Sequence, residues 1–339
     1  MIDFRYHLVS IVAVFLALAI GIVIGASALK PELLSAFNNA SSREQREITA
    51  QRAAIKNQMD QLGSNQAFAQ SAAPVLLNSL LEGQHVALVT APGADATTIT
   101  GVTAALKLAG ATITVQAQLQ PAFFNTSAGT QNSLEVLAQE TAPPGLLLQP
   151  TPPGANPQIA GQQEAARVLA AALVTKGGDL PADQANTIIS GFKDQGFLQL
   201  SPAAAAAPAQ ATLAVVIIPA SSPSADADPA NLALISVAEQ LSLSSRGVVL
   251  AGTLSGSGPG SAIDELTSGS TGVQLSSVNN ADTETGQIIV AQALSSLLAG
   301  NKPQAYGVGA AVPTPAPTPS PAPSATSAAA AAPKHPSRA

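Results

Sequence analysis

Between Leu8 and Leu29 the chain carries no charged residue, and only Ser10 and Ser27 are polar. In a helix about 20 apolar residues cross a hydrocarbon core of roughly 30 Å. The run therefore predicts a membrane-spanning helix through Leu8, Phe15, Gly21, Gly25 and Leu29. It is apolar on every side, which leaves no wet face for a soluble helix. Ile, Val and Phe are poor helix formers in water, but in lipid a helix satisfies its own backbone hydrogen bonds. Arg5 and His7 precede the run, and Lys30 with Pro31 closes it. Ala26-Ser27-Ala28 has the small-x-small form of a signal-peptide cleavage site. The apolar stretch nevertheless exceeds the usual length of about 7–15 residues for such a peptide. Residues 1–30 are expected to be a single-pass anchor.

Residues 31–72 change pattern. Leu34, Ile48, Ile55 and Leu62 share one heptad phase, with Ser41 as its gap, while the companion positions Phe37, Glu44, Gln51 and Gln58 are mostly polar. Met59 lies one turn after Ile55 and widens the apolar strip. This pattern predicts a helical stalk pairing as a short parallel coiled coil, hence a homodimer, against a solvated single helix or one folding back on its own domain. Ser41 with Glu44 three residues later has the form of a capping box and marks a helix start there.

From residue 73 to 309 the pattern becomes globular. Apolar β runs at His85–Thr90, Thr112–Val115, Ala211–Ile218, Gly247–Ala251 and Val273–Val278 alternate with helical stretches. Those helices are expected at Pro74–Leu81, Asp95–Leu108, Gln162–Val174, Ala182–Phe192, Leu232–Ser242, Ala262–Leu266 and Thr285–Leu298, with an edge strand at Gly196–Leu200. Pro121–Pro157 reads as irregular. Strand–helix–strand alternation predicts an α/β fold: an open, mostly parallel sheet of about four or five strands flanked by helices, flavodoxin- or Rossmann-like. Residues 310–339 are Pro, Ala, Thr and Ser with little else, a composition that cannot bury a core and predicts an extended, disordered tail, glycosylated or bare.

Composition narrows the function. The net charge is -6, so no basic surface serves nucleic-acid binding. Aromatics are 3% of residues, and the core must be aliphatic. There is no cysteine, which excludes disulfides, thiolate metal sites and Cys catalysis. Met1 and Met59 are the only methionines, too far apart for a Met-rich copper(I) site. His7, His85 and His335 are scattered, and no Gly-x-Ser-x-Gly elbow is present.

Several loops carry weaker signals. Gly256, Gly258 and Gly260 lie between a strand and a helix, where backbone amides can cradle an anion, but Pro259 interrupts them and no lysine follows. The loop after the first strand, APGADATT, likewise lacks the dinucleotide fingerprint. Asp264-Glu265 suits a helix first turn. Asp226 with Asp228, and Asp282 with Glu284, are carboxylate pairs able to bind a hard cation or do acid–base work, but also ordinary helix-start residues. No catalytic residue, cofactor or metal ligand is assigned.

The opening MIDFRYHLVSIVAVFLALAIGIVIG resembles the start of the actinobacterial MctB-like family, described as copper-transport outer-membrane proteins. Residues 85–114, HVALVTAPGADATTITGVTAALKLAGATIT, and 278–310, which begin VNNADTETGQIIVAQALSSLLAG, are similar to it as well. The likeness spans nearly the whole chain apart from the tail. It implies an envelope protein in copper homeostasis and a component of an efflux channel. Relatives that pair with a membrane partner and control a peptidoglycan hydrolase imply a second reading, a non-enzymatic scaffold for an envelope or division protein.

The basic residues flanking the anchor do not fix its orientation, but long domains translocate largely regardless of charge. The expectation is a cell-membrane protein with a cytoplasmic N-terminus and an extracytoplasmic α/β domain. An outer-membrane location is disfavoured, because no succession of alternating strands of about ten residues predicts a barrel.

Overall fold

A computed structural model describes residues 4–27, 31–146, 148, 157–178, 180–201, 210–220, 229–269, 271–309, 314 and 316–317. The chain forms two compact units, Met1–Asn65 and Gln66–Ala339.

In the first unit, helix α1 runs Phe4–Ser27. Its segment Tyr6–Gly25 is long and apolar enough to cross a membrane, and none of it is buried against protein. Helix α2 runs Pro31–Leu77. Its start corrects the expectation of a boundary at Ser41, because Pro31 is pre-organised for the first helical position and the helix passes through Ser41. A separate helix at Pro74–Leu81 is also not formed. Pro74 lies inside α2, whose final residues Ala69, Ala73 and Leu77 are buried in the second unit.

The second unit is the α/β head. In chain order it contains β1 (His85–Thr90), α3 (Ala96–Leu108), β2 (Thr112–Leu119), α4 (Ala128–Thr141), α5 (Ala160–Leu173), α6 (Ala182–Asp194) and β3 (Leu198–Leu200). There follow β4 (Leu213–Ile217), α7 (Pro229–Ser244), β5 (Gly247–Ala251), α8 (Ala262–Thr267), β6 (Ser276–Val278), α9 (Glu284–Leu298) and β7 (Ala305–Tyr306). The strands form one seven-stranded sheet in the order β3-β2-β1-β4-β5-β6-β7. Every pairing is parallel except β2 with β3, which is antiparallel. Seven strands replace the expected four or five: β3 and β6 fall within the expected strands at Gly196–Leu200 and Val273–Val278, and β7, two residues long, is too short to show an apolar period.

Both sheet faces are covered, so the central strands read as continuous apolar runs rather than alternating ones. Along β1, Val86 and Leu88 enter one core with α3, α9 and the end of α2. Ala87 and Val89 enter the other, with residues of α4, α5, α6, α7 and α8. Helix α4 corrects the reading of Pro121–Pro157 as irregular. Ser127 caps it by accepting the Thr130 N–H, and Leu134, Leu137 and Ala138 are buried at helical spacing. Flanking Pro and Gly residues masked that pattern.

Candidate functional site

In open α/β sheets ligands gather outside the carboxyl ends of the strands, where the strand order reverses. Here the reversal lies between β1 and β4. The described loops at that end pack on one another. A Cβ at Gly93 would sit 3.6 Å from Pro219, and one at Gly256 would lie 2.8 Å from the Pro219 carbonyl oxygen. The glycine loop after β5 spends its amides internally. Gly256 N–H donates to Thr253 Oγ1 at 3.1 Å, and Gly260 N–H donates to Asp264 Oδ2 at 3.1 Å. A carboxylate of the chain thus occupies the place an anion would take. Asp264 and Glu265 do lie in the first turn of α8, capped by Ser261.

Beyond β6 the loop is tied by side-chain amides. Asn279 donates through Nδ2 to the Val308 carbonyl at 2.7 Å, and its Oδ1 accepts the Val308 N–H at 2.9 Å. Thr283 Oγ1 accepts the Gly286 N–H at 3.1 Å and donates to the Asn280 carbonyl at 2.8 Å, which starts α9. Asp282 is exposed, and Glu284 is the first residue of α9. His85 opens β1 on the surface. Asp226, Asp228 and His335 lie outside the described residues, as do Leu29 and most of the 310–339 tail.

A cavity of about 280 Å³ lies beside the carboxyl halves of β1 and β2, lined by Thr90, Gln116, Gln118 and Gln199. Two larger ones lie at the opposite end, where strands begin. One of about 470 Å³ is lined by Lys176, Arg246, Ser245 and Ser276, and one of about 430 Å³ by Lys176, Thr175 and Gln210. Gln210 also ties its surroundings together, donating to the Ala171 carbonyl and accepting the Leu180 N–H.

Within the helical layer, Arg167 of α5 donates through Nε to Gln240 Oε1 of α7 at 3.4 Å. Burial holds the Glu164 and Glu239 carboxyls above their ordinary range, and Glu135 pushes Glu164 further up. The Arg167 charge opposes both shifts without cancelling them. Asp95, the exposed cap of α3, moves the other way, because its carboxylate accepts the Thr98 N–H.

Among the described residues no three His, Asp or Glu side chains gather in a group able to hold a metal ion. The seam residues Ile48, Ile55 and Leu62 are exposed on their own helix, Leu34 lies in its described backbone, and Leu8, Phe15, Gly21 and Gly25 lie in α1. Apolar side chains thus line the first unit, and the head offers hydrogen-bonded loops.

The family model described as "Copper transport outer membrane protein, MctB" matches residues 1–317. The chain belongs to this MctB family. It is 25% identical over 319 residues to the copper transporter MctB of Mycobacterium tuberculosis, covering 91% of this chain and 97% of the relative. The protein of that name from Mycobacterium leprae is 27% identical over 313 residues, with the same coverage. MctB membership bears out the resemblance and corrects the location. The family is described as an outer-membrane one, which overturns the expectation against that membrane. The physical reason is simple. A helix of about 20 apolar residues matches the hydrocarbon thickness of either membrane, and flanking charges do not distinguish them.

Sequence reasoning missed the Asn279–Val308 tie and the Arg167 cluster. The first had a local signal in Asn-Asn placed between a strand and a Thr-capped helix. The second joins α5 and α7, about seventy positions apart, and had none.

Proposed function

We propose that this chain serves copper homeostasis in the cell envelope as a membrane-anchored, non-enzymatic module, with copper as cargo rather than as resident cofactor. The observation that carries the reading is the family match over residues 1–317, which includes the apolar helix and the whole head together. In this reading residues 1–30 anchor the chain, 31–72 form a stalk that pairs two copies, and 73–309 form a doubly wound head of flavodoxin- or Rossmann-like style. Residues 310–339 are a spacer tail.

Copper(I) prefers thiolate and thioether ligands, and imidazole also suits copper. The chain has no cysteine and two methionines, and its described head residues hold no ligand cluster. Coordination is therefore assigned to a partner in the envelope, and the head to protein recognition. The same observation favours a second reading, a scaffold that binds an envelope or division protein independently of copper.

Calorimetry with copper(I) on the detergent-solubilised full chain tests the partner-supplied coordination. The expected result is no stoichiometric binding at micromolar metal. Tight stoichiometric binding would place the ligand set in this chain and overturn that part of the reading. A division or cell-wall defect of a deletion strain that is unchanged by copper would favour the scaffold.

A further inference from the structure

Resting on the reading that the stalk pairs two copies, we infer the orientation and register of that pairing. The helices lie parallel and in register, with Glu47 of each copy facing Arg52 of the other.

Ile48, Ile55 and Leu62 recur every seven residues of α2 and are 43%, 52% and 60% exposed on their own chain. With these at the a positions, Gln51 and Gln58 fall at d, Glu47 at g and Arg52 at e. In a parallel in-register pair, each g residue faces the e residue of the other helix five positions further on. Glu47 and Arg52 have that spacing, and two-fold symmetry makes the opposite-charge contact twice. Neither side chain has an ion pair within its own chain among the described residues. The pair that does form, Lys56 Nζ to Asp60 Oδ2 at 2.7 Å, uses positions b and f on the outer face.

Other arrangements lose the match. Sliding one helix by a heptad sets Glu47 against Gln45 or Met59. Antiparallel pairing brings g to g and e to e, so Glu47 meets Ala40, Ala54, Gln61 or another Glu47, and Arg52 meets Gln45, Met59 or another Arg52. None of these is an opposite charge.

The seam is bounded by the sequence itself. Glu44, at the preceding d position, would face its own copy, a like-charge contact. The next position in the a phase after Leu62 is Ala69, already buried within the head. Two heptads with glutamine at d form a weak pair in free solution. Anchoring both copies in one membrane raises their effective concentration and holds them parallel.

The chain has no cysteine, so single substitutions report proximity directly. Gln51→Cys and Gln58→Cys place thiols in the seam, and Ala53→Cys places one on the outer face. In membranes containing the full chain, mild oxidation is expected to link the two seam variants and to leave Ala53→Cys unlinked. Adding Glu47→Lys to Gln58→Cys is expected to lower linkage several-fold, and Arg52→Glu added on top restores it. Equal linkage of Ala53→Cys, or no rescue by the double reversal, overturns the register. A dimer by native mass with both seam variants unlinked overturns the register and leaves the pairing standing. A monomer overturns both.

Discussion

Gly161 of α5 lies against the backbone of Gln131 in α4: a Cβ added there would sit 2.8 Å from the Gln131 Cα and 2.9 Å from its carbonyl carbon. The close approach lets the two helices cover their share of the sheet. Gly101 of α3 makes the matching contact on the other face, but against the side-chain amide of Gln287 in α9. A side chain can swing aside, whereas helical backbone cannot. Gly161→Ala is therefore expected to destabilise the head by about 1–3 kcal/mol of overpacking, offset by about 1 kcal/mol of helix propensity. Gly101→Ala should cost less. Denaturant unfolding of both variants compares them, and a larger loss at Gly101 would refute the distinction.

Thr283 is the hinge of the loop between β6 and α9, accepting from Gly286 and donating to Asn280. Losing a cap of this kind costs about 0.5–2 kcal/mol. Thr283→Ala should show that loss in chemical denaturation, and Thr283→Ser should recover most of it.

The glutamates around Arg167 make stability depend on pH. Glu239 is raised from an ordinary value of 4.5 by burial, against the attraction of Arg167. Burial and Glu135 raise Glu164 likewise, also against Arg167. A carboxyl raised in the folded state favours folding while both states are protonated, and that advantage fades as pH rises through the folded value. Glu239→Gln stays neutral, so it should melt above the wild type near pH 8, with the gap closing toward pH 4. Asp95 contributes in the opposite sense, because its lowered value stabilises the fold above the ordinary aspartate range and is lost on acidification. A constant gap between wild type and Glu239→Gln across this range would contradict the assignment.

The apolar helix makes a prediction of its own. A charge at the middle of a spanning helix costs about 2.5–3.5 kcal/mol on insertion scales. Leu16→Arg should move the protein out of the membrane fraction or lower its accumulation there, whereas Leu16→Ala should not. Equal recovery of both variants in the membrane would argue that α1 does not span.

Much of this architecture was legible because each signal was local. The length of the Leu8–Leu29 run announced α1, and Val215, Val216 and Ile217 announced a strand buried on both faces. The register β1-β4-β5 pairs residues more than thirty positions apart, so the full strand order followed only from the folded chain. Strand β7 escaped notice because Ala305 and Tyr306 alone carry no period, and α4 because its proline-rich flanks outweighed Leu134 and Leu137. The candidate site was less legible than the fold. Asn279 had a local signal but its partner Val308 did not, and the tie of Arg167 to Gln240 joins residues distant in sequence with no spacing that points to it.

The central claim is that the chain acts in copper homeostasis, and cellular copper measures it most directly. Total copper per cell, determined by mass spectrometry in a strain lacking this protein and grown with added copper, should exceed that of the parent and return to the parent's level when the full chain is restored. Equal copper in the two strains, with growth equally sensitive to the metal, would contradict the claim.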